Sequence, residues 1–125
     1  MKFQKVGAIV GGAVMAVVGL GAAPAAAACS DYFLCVYQYN NGDGGELFTS
    51  QSNSNWDYLG NPTAFKFMND KASSARNTTG RTYARIYQHD SYSGDTICLA
   101  PGRSYPDFPE YIDNKSSSHR FLSSC

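Results

Sequence analysis

The sequence predicts an all-β protein, a sandwich of two Greek-key motifs. Three observations carry that prediction. The chain breaks into short runs of β-branched, aromatic and apolar residues separated by Gly, Asn, Asp and Ser, the pattern of short strands joined by tight turns. No long helical period appears anywhere after the first thirty residues. The chain also repeats itself: "VYQYNNGDGG" (36–45) aligns with "IYQHDSYSGD" (86–95) at an offset of 50, and "NDKASSARN" (69–77) aligns with "DNKSSSHRF" (113–121) at an offset of 44. A duplicated unit of roughly 45–50 residues with four short strands has too small a core to stand alone, and two such units stack into a sandwich.

The first segment is not part of that unit. "MKFQKVGAIVGGAVMAVVGLGAAPAAAACS" begins with Lys2 and Lys5, continues with an apolar run from Val6 to Leu20, and ends in alanines after Pro24 that fit an A-x-A cleavage pattern at 26–28. This is the layout of a secretory signal peptide over 1–28, and it implies a secreted, extracellular protein with no membrane attachment after cleavage. The remaining domain, 29–125, has one modest core. The whole chain carries 10 basic and 10 acidic residues; without Lys2 and Lys5 the domain has 8 against 10, a net charge of −2. No basic stripe is present to hold phosphates, which excludes nucleic acid as a partner.

All four cysteines, Cys29, Cys35, Cys98 and Cys125, follow the leader. An even number in a small exported domain reads as two disulfides, and no spacing suits a metal cluster. Three pairings are possible. The local pairing, Cys29–Cys35 and Cys98–Cys125, closes two short separate loops. Chain-entropy estimates assign these about 2–2.5 and about 3.5 kcal/mol.

Within the domain, "LCVYQY" (34–39) and "GELFTS" (45–50) read as a hairpin, and so do "TYARIYQ" (82–88) and "DTICLA" (95–100). Val36 and Ile86 are equivalent and expected inward; Gly44 and Gly94 are equivalent and expected in the turns. An aromatic seven residues before each glycine is expected to cover it, because glycine tolerates both a positive φ and close approach. The serine motifs lead into a closing strand, "SSARN" or "SSHRF". Repeat 1 thus spans about 34–77 and repeat 2 about 82–122. The fall in offset from 50 to 44 gives repeat 1 six extra residues, expected in the loop "QSNSNWDYLGNP" (51–62).

These motifs resemble those of the βγ-crystallins. "YQHDSYSG" (87–94) looks like the family's aromatic, four residues, aromatic, one residue, glycine signature; the first copy departs from it with Gly42 in place of the second aromatic. "NDKASS" and "DNKSSS" resemble the βγ-crystallin calcium pattern of two Asn/Asp, two variable residues, Ser/Thr and Ser. The full layout, with its early Cys pair, "WDYLG", "MNDKASSARN", "IYQHDSYSGD" and "CLAPG", is similar to secreted members of the Streptomyces metalloproteinase inhibitor family of peptidase inhibitors. That resemblance implies a βγ-crystallin-like sandwich and a non-enzymatic protein that binds an extracellular protease, expected as a monomer. It also implies a disulfide-closed reactive loop. No short Cys-flanked loop stands in the second half, so the inhibitory loop is not located; the Cys29–Cys35 loop displays Tyr32 and Phe33 instead.

The alternative is a calcium-binding structural or interaction module without inhibitory activity. The resemblance implies two crossing calcium sites. One uses Asn69, Asp70, the carbonyl of Lys71 and the hydroxyl of Ser73, and the other uses Asp113, Asn114, Lys115 and Ser117, each completed by a carbonyl from the other repeat's hairpin. Each motif supplies one carboxylate, Asp70 or Asp113, so weak binding is expected, about 10⁻⁵ to 10⁻³ M. A third class, a small hydrolase, would need His119, Glu110 and Arg120 for acid–base work. The repeat accounts for their positions without catalysis, and His89 falls in the slot of Tyr39 as a hairpin residue. "NTT" (77–79) and "NKS" (114–116) are glycosylation sequons, relevant only to a eukaryotic secretory route.

Overall fold

Alternation along the first strand, β1 (Leu34–Tyr37), turns Leu34 and Val36 into the core, where both are fully buried. The same logic places Ala84 and Ile86 of β4 (Tyr83–His89), and Ile97 and Leu99 of β5 (Ser93–Leu99), on the inner face. The other strands are β2 (Glu46–Thr49), β3 (Ser74–Asn77), β6 (Ser104–Tyr105) and β7 (Ser118–Leu122). This computed structural model describes residues 29–125 and, in the leader, two paired two-residue strands, Val10–Gly11 and Val14–Met15. The expected signal peptide otherwise lies outside the described residues. No helix among the described residues is long and apolar enough to cross a membrane.

Two antiparallel sheets make an all-β sandwich. One runs β2-β1-β3-β6 and the other β5-β4-β7. Each repeat gives its third segment to its neighbour's sheet: β6 of the second repeat pairs with β3 of the first, with Ala75 opposite Tyr105, while Asn53 of the first repeat bridges to His119 on β7. That exchange is what makes each repeat dependent on the other. The shared core is Leu34, Val36, Leu47, Trp56, Met68, Ala72, Ala75, Ala84, Ile86, Ile97, Leu99, Phe108 and Ile112. Cys98 and Cys125 are bridged; Cys29 and Cys35 are disulfide-bonded as well.

Both hairpin glycines take positive φ, +82° at Gly44 and +84° at Gly94. The ring over each comes five residues earlier, not seven as the sequence suggested. A methyl on Gly44 would lie 2.6 Å from the Tyr39 ring, and one on Gly94 would lie 2.7 Å from the His89 ring. The residue seven before each glycine packs one turn away: the Tyr87 ring meets Tyr92 at 5.5 Å between centroids, and in the first copy the Tyr37 ring covers Gly42, which occupies the Tyr92 slot. Gly94→Val therefore combines a φ that β-branched residues resist with a ring collision. It is expected to destabilise by more than about 1 kcal/mol; an unchanged melting temperature would contradict this account of the hairpin.

No sequence pattern announced the short α-helix of the domain, α1 (Thr63–Met68). It is six residues long, too short to show a period. Pro62 precedes it, and Met68 and Phe65, three apart, face the core. The helix directly follows the loop 51–62, where the sequence places the six extra residues of repeat 1.

Candidate functional site

The two serine motifs face each other across the approximate symmetry axis. Asp70 and Asn114 occupy equivalent positions, and both have φ of +59°, a left-handed conformation that Asp and Asn tolerate better than most residues. Their backbones interlock, since Asp70 N donates to Ser116 O at 3.0 Å and Asn114 N donates to Ala72 O at 2.9 Å. Their side chains cross. Ser117 Oγ donates to Asp70 Oδ1 at 3.3 Å, and Ser73 Oγ donates to Asn114 Oδ1 at 3.4 Å. The serine nearest each carboxylate or amide thus belongs to the other motif. The sequence reading had grouped Asp70 with Ser73 and Asn114 with Ser117.

The second serine of each pair has a separate role. Ser74 Oγ donates to Tyr39 O at 2.6 Å and accepts from Gly42 N at 3.0 Å; Ser118 Oγ donates to His89 O at 2.6 Å and accepts from Tyr92 N at 3.3 Å. These bonds fasten each closing strand to its own hairpin. The first serines, Ser73 and Ser117, are left to point across the axis.

Two oxygens stand out at the first position of each motif. Asn69 Oδ1 and Asp113 Oδ1 are buried and have no hydrogen-bond partner. A buried acceptor left unpaired costs about 1–3 kcal/mol, so the repetition of the defect at equivalent residues calls for a donor or a cation. Among the described residues, the carbonyls of Lys71 and Lys115 also accept no bond, while both side chains are exposed. Asn69 and Ser117 line a cleft of about 360 Å³ together with Asn55, Asp57, His89 and Asp90. That cleft joins the first motif to the second repeat's hairpin, the kind of partnership the resemblance implied. The sequence reading missed Asn55, Asp57 and Asp90; only the fold brings them there. Among the described residues no three or more His, Cys, Asp or Glu converge as a metal cluster. The donors here are amide, hydroxyl and carbonyl oxygens with few charges, a set suited to a hard cation such as calcium and poorly suited to zinc.

His119 is not available for catalysis. It is fully buried on the inner face of β7, opposite Ile86, in the slot that Ala75 fills in the first repeat. Trp56 Nε1 donates to its Nδ1 at 2.9 Å, and its Nε2 donates to Gln51 O at 2.7 Å, which fixes the neutral tautomer with the proton on Nε2. Burial pushes its pKa down to about 4, with the Gln51 carbonyl opposing. Glu110 is exposed on the surface, so the trio His119, Glu110 and Arg120 forms no acid–base site.

A sequence profile of peptidase inhibitor family I36 matches residues 22–99. The chain belongs to that family. No curated protein matches it. Solved βγ-crystallin domains share its fold. The structure described as "Evolution of the eye lens beta-gamma-crystallin domain fold" aligns with a TM-score of 0.63 at 18% identity over 84% of this chain and 94% of that one. The βγ-crystallin from Ciona intestinalis aligns at 0.57 with 22% identity over 72% and 99%. A βγ-crystallin domain from Clostridium beijerinckii aligns at 0.59 with 18% identity over 74% and 99%. At these identities the likeness concerns the fold. Membership of the inhibitor family and the βγ-crystallin sandwich therefore occur in one chain.

Proposed function

We propose that this chain is a secreted, non-enzymatic, monomeric inhibitor that binds an extracellular peptidase. Membership of the inhibitor family over 22–99 carries this reading. The leader pattern and the oxidised cysteines support export. The test is titration of extracellular metallo- and serine peptidases with purified protein. The expected result is a stoichiometric loss of activity of at least one of them; full activity of every peptidase at excess protein would contradict the reading.

The crossed motifs favour a second property, weak calcium binding that braces the two repeats. The observation that carries it is the pair of buried, unpartnered oxygens on Asn69 and Asp113. In one site Asn69, Asp70, the Lys71 carbonyl and Ser117 would hold the ion; in the other, Asp113, Asn114, the Lys115 carbonyl and Ser73. Bound calcium would satisfy these oxygens and join residues from both repeats. Equilibrium dialysis should count two calcium ions per chain at millimolar concentration, and none bound would contradict the assignment.

A further inference from the structure

The peptidase-binding reading leaves open which part of the surface makes contact, and the long loop of repeat 1 offers an exposed tip anchored by the buried Trp56. The sequence places the six extra residues of repeat 1 in the loop 51–62, and the tip of that loop presents Tyr58 at 62% and Leu59 at 87% exposure, the latter the highest of the exposed large hydrophobic residues among the described residues. Holding leucine and tyrosine in water gains nothing for folding.

The segment is nevertheless rigidly built. Asn61 Nδ2 donates across the loop to the carbonyls of Asn55 at 2.6 Å and Trp56 at 3.1 Å. Asn61 N closes a turn onto Tyr58 O at 3.0 Å, and Tyr58 N closes another onto Asn55 O at 3.1 Å. Asn53 Nδ2 holds Asn61 Oδ1 at 3.0 Å, while the Asn53 and Asn55 side chains accept from the backbones of Asn55 and Asp57, each at 3.0 Å. Beneath them Trp56 is fully buried and bonded to His119. Among the described residues the N–H and C=O of Leu59 have no partner. A hydrogen-bonded loop with an exposed apolar tip and a free backbone at Leu59 suits a concave peptidase cleft, because it loses little entropy on docking.

Tyr32, exposed between the bridged Cys29 and Cys35, is less suited. Tyr32 has φ of +77°, and the backbone beside it is already used, with Phe33 N donating to Thr78 Oγ1 at 3.0 Å and Thr78 N donating to Phe33 O at 2.8 Å.

Resting on the peptidase-inhibitor reading, we propose that the loop 57–60 is the contact element and that Leu59 seats in an apolar subsite of the target's active-site cleft. The test compares wild type with Leu59→Asp, Leu59→Ala and Tyr32→Ala against a thermolysin-type metallopeptidase and a subtilisin-type serine peptidase, both of which prefer apolar residues, and a trypsin-type enzyme with an acidic pocket. Melting curves accompany each variant, and an unchanged midpoint is expected because Leu59 is exposed. Wild type should inhibit one of the first two enzymes. Leu59→Asp should weaken inhibition by about 30-fold or more, the effect of a central interface residue, while Tyr32→Ala stays within about threefold of wild type. Inhibition by wild type that survives both Leu59 changes, or that acts only on the trypsin-type enzyme, overturns the loop assignment and leaves the inhibitor reading standing. No inhibition of any enzyme by wild type overturns both.

Discussion

Trp56→Ala is expected to lower stability by about 3–5 kcal/mol, the range for removing a fully buried large aromatic, and to lower the melting temperature by about 12 °C or more in a domain of this size. Trp56 is fully buried and belongs to the shared core, so its loss opens a cavity where the long loop of repeat 1 meets the second sheet. The substitution also strands His119 Nδ1, which accepts the Trp56 Nε1–H at 2.9 Å in the interior. The Trp56 backbone N donates to Ser117 O at 2.8 Å, a bond that alanine can keep, so the loss is one of side-chain packing and of the bond to His119. Thermal melting checks the prediction. A loss below about 1 kcal/mol would show that the loop is not anchored here.

Acidification is expected to weaken the fold through His119. Its folded-state pKa is lowered to about 4 from 6.5, chiefly by burial. Protonating Nδ1 would also set an N–H against the Trp56 N–H. The folded state thus binds fewer protons than the unfolded chain between these values. The stabilisation that comes from keeping the imidazole neutral is complete above pH 6.5. It is lost as pH falls from 6.5 through about 4, and the full loss is about 3 kcal/mol. Unfolding midpoints in denaturant, measured between pH 7.5 and 4, should fall along that window. In His119→Gln the slope there should be much smaller, even though the variant starts from lower stability. Equal slopes in the two proteins would assign the acid sensitivity to other groups.

Much of the fold was legible because duplication doubles the signal. Val36 and Ile86, and Gly44 and Gly94, are weak indicators singly, but in register they place two hairpins and their inward faces. The serine motifs were legible as a pair for the same reason. Their wiring was not, because spacing along a chain cannot tell which serine faces which carboxylate; the crossing of Ser117 to Asp70 and Ser73 to Asn114 arises from packing about the symmetry axis. The helix Thr63–Met68 has too few residues for a period. His119 was a candidate acid–base group by residue type, although its equivalence with Ala75 was a sign that it points inward. The loop 57–60 was marked in the sequence only by the change of offset; its exposure and its asparagine scaffold appear in three dimensions.

The paired motifs as calcium sites are the claim on which the account of this scaffold turns, and melting curves in calcium, in magnesium and in chelator test it most directly. A ligand that binds only the folded state stabilises it by RT ln(1 + [L]/Kd), about 2.7 kcal/mol per site at 10 mM calcium for a Kd near 0.1 mM, a shift of about 10 °C or more. The account predicts that calcium raises the midpoint, that magnesium does so less because it demands a tighter, more regular shell, and that Asp70→Ala combined with Asp113→Ala abolishes the rise. Superimposable curves in all three conditions would contradict it, and would leave the crossed serines as bonds that only join the two repeats.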